Sequence, residues 1–370
     1  MKKVLIVGGS VSGLSVASSI LEHDSSIDVT VVDKKLRAGE PPQRCAGGIS
    51  RFGLLDRAGL PPFPKDAVLA EVNCFRLYAP NGEFWDFKSD EVVGYVLDRE
   101  AFESRMAERV EKLGAELVWN HRVTRESLSR LREKYDYIVG CDGFPSVMSD
   151  WVGASKPPLY DVEHCIQKVA TWQSFPQNRI DIYFGSRFPQ GYGWVIPKGN
   201  SEVRIGLGVA LSLGVNVKAL LDFFSYYACY DLEEKELISK LLPVTKPRRS
   251  NVFMNGRVLL VGDAGLHVDP AFGGGILQAI CAGKACGRAI AEGKPYNYDK
   301  YVGWLRKENS WRYRVKKVLI SLSDENWNEI VKKLGESKPL FEASSGKVLR
   351  KVAKWMMLRK PGLLWKFLRA

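Results

Sequence analysis

No stretch of this chain reaches the ~20 consecutive apolar residues that a membrane-spanning helix needs; charge or glycine interrupts every run first. No transmembrane segment is expected. The opening Met1-Lys2-Lys3 and Val4-Leu5-Ile6-Val7 imitate a signal peptide, but the apolar run stops at Gly8-Gly9-Ser10 without a cleavage site after a longer core, so it predicts a first strand. Cysteine is sparse: seven residues, scattered, odd in number and without C-x-x-C spacing, which excludes a secreted disulfide framework and a zinc site and predicts a cytoplasmic protein. The four histidines, at 23, 121, 164 and 267, form no metal or catalytic-triad spacing, and no metal is expected. Internal repeats and low-complexity tracts are lacking. Acidic residues are absent from Ala343 to Ala370, where Lys347, Arg350, Lys351, Lys354, Arg359, Lys360, Lys366 and Arg369 supply most of the net charge of +12.

What is present is a chain of 370 residues, 45% hydrophobic, long enough for two interleaved domains. Lys2–Val7 reads as a strand buried on both faces, Val11–Glu22 alternates at helical period, and 27–32 is a second strand. A proline- and glycine-rich loop, Gly39–Gly53, leads to strand-like runs broken by turns over Val68–Val96. Asp98–Leu113 predicts a helix with Asp98 as its N-cap, followed by strands at 115–119 and 135–139. His164–Leu211 alternates aromatic and β-branched residues with turns and predicts a mostly antiparallel sheet; nucleotide-fold character resumes at 258–261, and helices follow Gly273, broken near Gly293, Ser323, Gly335 and Pro361. The fold class is α/β: a Rossmann-type nucleotide domain (1–67, 98–160, 245–295) interleaved with an antiparallel-sheet substrate domain (68–97, 161–244), then a helical C-terminal region (296–370).

Gly8-Gly9-Ser10-Val11-Ser12-Gly13 lies between a strand and a helix, where backbone N–H groups and the helix N-terminus can meet a pyrophosphate. Ser10 replaces the second glycine of G-x-G-x-x-G. Asp33 closes the second strand twenty residues beyond Gly13, at the position of a ribose-binding acid. Two distant segments complete a flavoprotein pattern. Tyr137–Gly143 resembles the Asp-Gly turn of flavoprotein hydroxylases through Asp142 and Gly143, and Val261–Gly265 resembles the Gly-Asp segment whose aspartate, Asp263 here, holds the ribityl chain. Arg99 matches a helix-start arginine that contacts FAD in that superfamily, and Pro270–Ile276 opens a helix through Gly274, Gly275 and Ile276 whose N-terminus can face the flavin. Non-covalent FAD is the expected cofactor.

Two further motifs carry a narrower resemblance. Arg44-Cys45-Ala46-Gly47-Gly48-Ile49-Ser50 is similar to the Cys-Gly-Gly loop of the geranylgeranyl reductase family, and Pro189-Gln-Gly-Tyr192-Gly-Trp194-Val-Ile196-Pro197 matches that family's P-x-x-Y-x-W-x-F-P signature except at Ile196. The resemblance covers about residues 1–300. It implies that Cys45, Tyr192 and Trp194 line the reacting end of a cavity for a prenyl chain, that Lys34, Arg44, Ala46, Gly47 and Gly48 join the FAD contacts, and that the backbone at Val123 faces the adenine. The implied reaction is reduction of carbon–carbon double bonds by hydride from flavin N5, with a proton fed by Cys45, Tyr192 or an ordered water. The implied substrate is the prenyl chain of an archaeal-type ether lipid, a quinone side chain or a prenyl diphosphate, the electrons coming from ferredoxin, NAD(P)H or another external reductant. An aromatic-ring hydroxylase shares the three nucleotide motifs, and Tyr192 and Trp194 tilt against it; a membrane-bound electron-transfer flavoprotein passing electrons from ferredoxin to a quinone is suited equally well by the basic tail.

In the basic tail Val348, Val352, Trp355 and Met356 recur at helical spacing beside lysines, and Trp365 and Phe367 follow. Such a helix predicts peripheral contact with an anionic membrane on its inner face, or packing on the enzyme. No nucleic-acid module accompanies the charge, so no nucleic-acid partner is expected.

Overall fold

The computed structural model describes residues 2–40, 45–50, 63–229 and 232–336. Arg44 and the basic tail lie outside these. The chain separates into two compact units, one of residues 1–43, 99–157 and 242–312, the other of residues 44–98, 158–241 and 313–370.

The first unit is built on a six-stranded sheet ordered Val252–Phe253, Val258–Leu260, Tyr137–Gly140, Lys3–Val7, Asp28–Val32 and Glu116–Val118. All neighbours are parallel except the antiparallel pair at the 252–253 edge. Val4, Leu5 and Ile6 are almost wholly buried, which is why that strand is a continuous apolar run rather than an alternation. The Val11–His23 helix lies against the Ile276–Ala291 helix through small residues. A Cβ on Gly283 would come within 2.6 Å of Ser15 Cβ, and one on Gly287 within 2.6 Å of Ser19 Cβ, so the two backbones nearly touch. Ser19 also donates to the Lys284 carbonyl at 2.9 Å.

The second unit holds a seven-stranded sheet ordered Glu233–Pro243, Val162–Thr171, Glu202–Ala210, Tyr192–Gly199, Arg179–Tyr183, Cys74–Tyr78 and Phe84–Lys88, and a three-stranded sheet ordered Gly48–Ser50, Gly94–Leu97 and Val68–Val72. The expected antiparallel character holds for most of the pairs, but Arg179–Tyr183 runs parallel to Cys74–Tyr78. A helix absent from the sequence reading, Val217–Ala228, is capped by Asn216, which accepts from Ala219 N–H at 3.1 Å. Its Leu221 and Phe224 pack with Ile166, Val195, Ile205 and Leu207. The alternation of the Tyr192–Gly199 strand therefore sends Val195 into this core, while Trp194 and Ile196 join Val72, Val96 and Ile180 in a separate cluster.

The two units group three stretches otherwise than expected, residues 313–336 falling with the second unit rather than in a separate C-terminal region. Residues 45–50 and 63–67 group with the second unit, because Gly48–Ser50 pairs with Gly94–Leu97 and Gly47 N–H and C=O lie against Leu97. Residues 296–312 group with the first unit, where Tyr298 is fully buried and donates to the Leu260 carbonyl at 3.0 Å.

Candidate active site

In the first unit the glycines meet the packing that a dinucleotide turn requires. Gly8 has φ +114°, and a Cβ there would strike the Cys141 carbonyl; a Cβ on Gly13 would lie 1.9 Å from the Gly8 carbonyl oxygen. The helix after this turn begins at Ser10 with no side-chain cap and no acid in its first turn, so its N-terminal N–H groups suit an anion. Ser12 lies at the close approach to the next motif, where a Cβ on Gly262 would come within 2.9 Å of it. Asp33 accepts from Gly9 N–H at 2.7 Å and Lys35 N–H at 2.9 Å, which fixes its carboxylate at the rim of the turn.

Beside Ser10 sits a charged cluster. Glu103 is 1% exposed and accepts from Ser10 Oγ and Arg99, with Lys35 Nζ at 3.2 Å. Burial alone would raise its carboxyl, but the charges of Arg99 and Lys35 and the Ser10 hydroxyl hold it down to about 2. Arg99 opens the Arg99–Lys112 helix and reaches Ser10 Oγ at 3.3 Å. Lys35, not the exposed Lys34, reaches the cluster. Glu103 escaped the sequence reading; its one signal was the four-residue helical spacing from Arg99.

Asp142 accepts from Ser146 Oγ at 2.7 Å and Met148 N–H at 3.2 Å, and burial raises its carboxyl against these bonds. Its carboxylate therefore orders its own turn, with Gly143 following at φ +81°. Arg248, also missed, ties that turn to the Asp263 turn by donating to Ser149 Oγ at 2.8 Å and the Ala264 carbonyl at 2.7 Å; burial lowers its pKa to about 10. Asp263 lies near the start of the long helix, a Cβ on Gly275 being 3.6 Å from its Oδ1. Asp269 shapes the loop before that helix: it accepts from Ala271 N–H at 2.8 Å and pairs with buried Arg312 at 2.7 Å. Gly274 is half-buried beside it and Ile276 is buried. Val123 points into the hydrophobic core with Leu128 and Met148. His267 is buried with Asn251 and Tyr298, and burial lowers its pKa to about 4, so it is a neutral core imidazole.

In the second unit, Cys45 Sγ accepts from Gly47 N–H at 3.3 Å, and Gly47, at φ +75°, packs so closely that a Cβ would lie 3.1 Å from Arg204. Arg204 is buried and donates to the Ala46 carbonyl at 3.0 Å; burial lowers its pKa, opposed by Cys45, Asp98, Glu236 and Glu202. Gly48 stands over Ile196, 3.9 Å from a Cβ to Cδ1. Cross-strand register then lays out one sheet face in rows: Ile196 opposite Arg204; Trp194 opposite Gly206 and Gly206 beside Gln167; Tyr192 opposite Gly208 and Gly208 beside Cys165. The glycines are needed. A Cβ on Gly206 would come within 2.7 Å of the Trp194 ring and 2.5 Å of Gln167. Tyr192 and Trp194 are 5.6 Å apart, and Tyr192 meets Phe184, which stacks on Trp327 at 4.1 Å. Trp194 Nε1 and Gln167 Oε1 are buried without a protein partner, one a donor and one an acceptor. This face is aromatic with a few polar groups, and its Trp194 and Ile196 pack in the cluster of Val72, Val96 and Ile180.

A parallel sheet with a glycine-rich turn and a second sheet unit with an aromatic face make up the fold of flavin-dependent halogenases and monooxygenases. A flavin-dependent brominase matches at TM-score 0.65 with 13% identity, covering 96% of this chain and 99% of that one. A geranylgeranyl bacteriochlorophyll reductase-like protein from Thermoplasma acidophilum matches at TM-score 0.85 with 23% identity over 99% and 98% of the two chains. Residues 161–242 match the geranylgeranyl reductase catalytic domain. Digeranylgeranylglycerophospholipid reductases of Methanocella arvoryzae (29% identity, 88% of this chain and 89% of the relative) and Methanothrix thermoacetophila (29%, 98% and 97%) are similar along nearly the whole length. The chain is thus similar to geranylgeranyl reductases along nearly its whole length. The rows of Tyr192, Trp194 and Ile196 fall inside the matched domain.

Proposed function

We propose that this FAD-dependent reductase hydrogenates the geranylgeranyl chains of an archaeal-type glycerophospholipid. The observation that carries the reading is the aromatic face of Tyr192, Trp194 and Ile196, floored by Gly206 and Gly208, within a matched reductase domain. An apolar polyene needs such a face. The full-length relatives named for a digeranylgeranyl lipid favour that head group over a quinone or a free diphosphate.

The Gly8, Gly9, Gly13 cradle fits a pyrophosphate, since a side chain would collide with backbone at Gly8 and Gly13 and with the Trp119 ring at Gly9. In this reading Ser10, Ser12 and the helix N-terminus bind the phosphates, Asp33 and Arg99 orient the nucleotide half, and Asp142, Gly143, Asp263, Gly274, Gly275 and Ile276 hold the flavin half. When reduced by an external donor, FAD supplies the hydride that one alkene carbon receives. The chain's own groups do the rest: Arg204 holds the Cys45–Gly48 turn in shape, Tyr192 and Trp194 keep the chain straight and dry, and a proton must reach the second carbon from this face. A positive charge developing on the hydride-accepting carbon as the proton arrives is stabilised by the aromatic rings.

Among the described residues no helix is long and apolar enough to cross a membrane. We assign the bilayer contact that a lipid substrate requires to the basic segment 343–370. Removing it should abolish flotation with anionic liposomes while leaving FAD bound; unchanged flotation rejects that role.

The direct test is anaerobic incubation of the FAD-loaded, dithionite-reduced protein with geranylgeranyl glycerophospholipid, followed by mass spectrometry of the chains. Added hydrogen pairs support the reading. Chains that stay unsaturated while the flavin stays reduced reject it.

A further inference from the structure

Glu163 is a buried acid on the face that carries Tyr192 and Trp194. It stands one row beyond Cys165, which lies opposite Gly208, itself opposite Tyr192. Because Gly208 has no side chain, its place is taken by neighbours: a Cβ there would lie 3.0 Å from Glu163 Oε2 and 3.2 Å from Cys165 Sγ. Cross-strand Cβ positions are roughly 5 Å apart, so the carboxyl reaches to within a side-chain width of Tyr192. Its other oxygen faces Lys316 Nζ at 3.9 Å.

Among the described residues, Lys316 and Asp161 are the charges that act on the Glu163 carboxyl. Asp161 lies 3.7 Å from the same lysine, and is itself bonded by Tyr313 Oη at 2.7 Å and Lys317 Nζ at 3.1 Å. Lys240, on the Glu233–Pro243 strand, acts on Cys165, whose thiol burial keeps protonated. Ordinary structural duty does not need an acid at this spot, since a buried carboxylate costs desolvation that a single lysine at 3.9 Å offsets only in part.

We propose that Glu163 is the general acid of the reduction, giving its proton to the alkene on the Tyr192 face and leaving a carboxylate held by Lys316. The assignment rests on the prenyl-reduction reading and deepens it. The carboxyl O–H bond breaks and a C–H bond forms at one alkene carbon; the second C–H bond takes both electrons of the hydride that reduced flavin supplies. Solvent returns a proton to Glu163 before the next double bond enters. Burial, opposed by Lys316 and aided by Asp161, pushes the carboxyl up to about 7, so both protonation states are populated where the enzyme works.

The test uses the FAD-loaded full chain. Infrared difference spectra across a pH titration of the wild type should contain a carboxyl band that titrates near 7 and is missing from Glu163→Gln. Lys316→Met should move that titration upward, which keeps the assignment testable if Glu163→Gln does not fold. Glu163→Gln should still be reduced by dithionite, but should hydrogenate prenyl chains about a hundredfold more slowly and lose the alkaline limb of its pH profile, with Glu163→Asp recovering part of the rate. A wild type without a titrating carboxyl, a band that Lys316→Met leaves in place, or Glu163→Gln with unchanged rate and pH profile overturns the proposal. If the wild type leaves prenyl chains untouched, the substrate reading fails instead, while the infrared titration still decides the state of Glu163.

Discussion

Arg99 and Glu103 sit four residues apart on one helix, and their pairing makes each depend on the other. Glu103 is ionised in the interior only because Arg99, Lys35 and Ser10 surround it. Removing Arg99 leaves a buried carboxylate with one cation at 3.2 Å, an expensive arrangement. Arg99→Met should therefore weaken FAD binding by roughly tenfold or more and lower the melting temperature of the apoprotein. Fluorescence titration with FAD and a thermal melt check both, and an unchanged Kd would place Arg99 outside the nucleotide contacts. Cys45 offers a contrast. Its sulfur accepts from Gly47 N–H within the turn that Arg204 holds, so Cys45→Ala should keep FAD and lower the hydrogenation rate only several-fold. Its pH profile should keep the alkaline limb; loss of that limb would return the acid role to Cys45.

At the scale of elements, the helix pair of the first unit is the most constrained contact. Gly287 lies 2.7 Å, measured from a Cβ position, from the Val16 carbonyl as well as against Ser19. Gly287→Ala must push two helices apart, although alanine is the better helix former, and should cost about 1–3 kcal/mol in a urea melt. Pairing it with Ser19→Gly should return part of that, because one of the two colliding carbons is gone; a double variant no better than the single would locate the strain at the Val16 carbonyl. Asp269 and Arg312 raise a second question at this scale. They brace the 270–275 loop from the far end of the unit's chain, so Asp269→Asn should loosen the loop and leave Arg312 with Glu308 at 3.0 Å as its acidic partner. Weaker FAD binding with an intact circular dichroism spectrum is the expected result.

For the whole molecule, two buried groups give opposing pH dependences. His267 is depressed from 6.5 to about 4, so its contribution to stability is present above 6.5 and is lost as pH falls through 4. Glu163 is raised from 4.5 to about 7, so its contribution is present below 4.5 and is lost as pH rises through 7. Each shift corresponds to about 3 kcal/mol at full expression, and the two nearly cancel over the acid-to-neutral range. Single variants should separate them: His267→Asn should leave a melting temperature that falls as pH rises from 4.5 to about 7, and Glu163→Gln one that rises as pH goes from about 4 to 6.5. Parallel curves for wild type and both variants would mean that neither group is titrating inside the fold.

The sequence by itself determined those features that depend on neighbours close in the chain or on a motif of fixed spacing. The strand–turn–helix start with Gly8, Gly9 and Gly13, the acid at Asp33, and the alternation that puts Trp194 and Ile196 on one side and Val195 on the other all follow from local periodicity. The Val217–Ala228 helix could also have been found, since Asn216 and the spacing of Val217, Leu221 and Phe224 are its cap and its buried stripe. Only the tertiary structure decided the rest. Glu103 and Arg248 become ionic or hydrogen-bonding hubs because segments far apart in sequence converge on them, and nothing in their flanking residues marks burial. The grouping of residues 45–50 with the second unit depends on a strand pairing across more than forty residues. Glu163 acquires its place on the Tyr192 face because Gly208, on the strand between them, leaves room for its carboxyl; desolvation, which shifts its proton affinity, exists only once the sheet has formed.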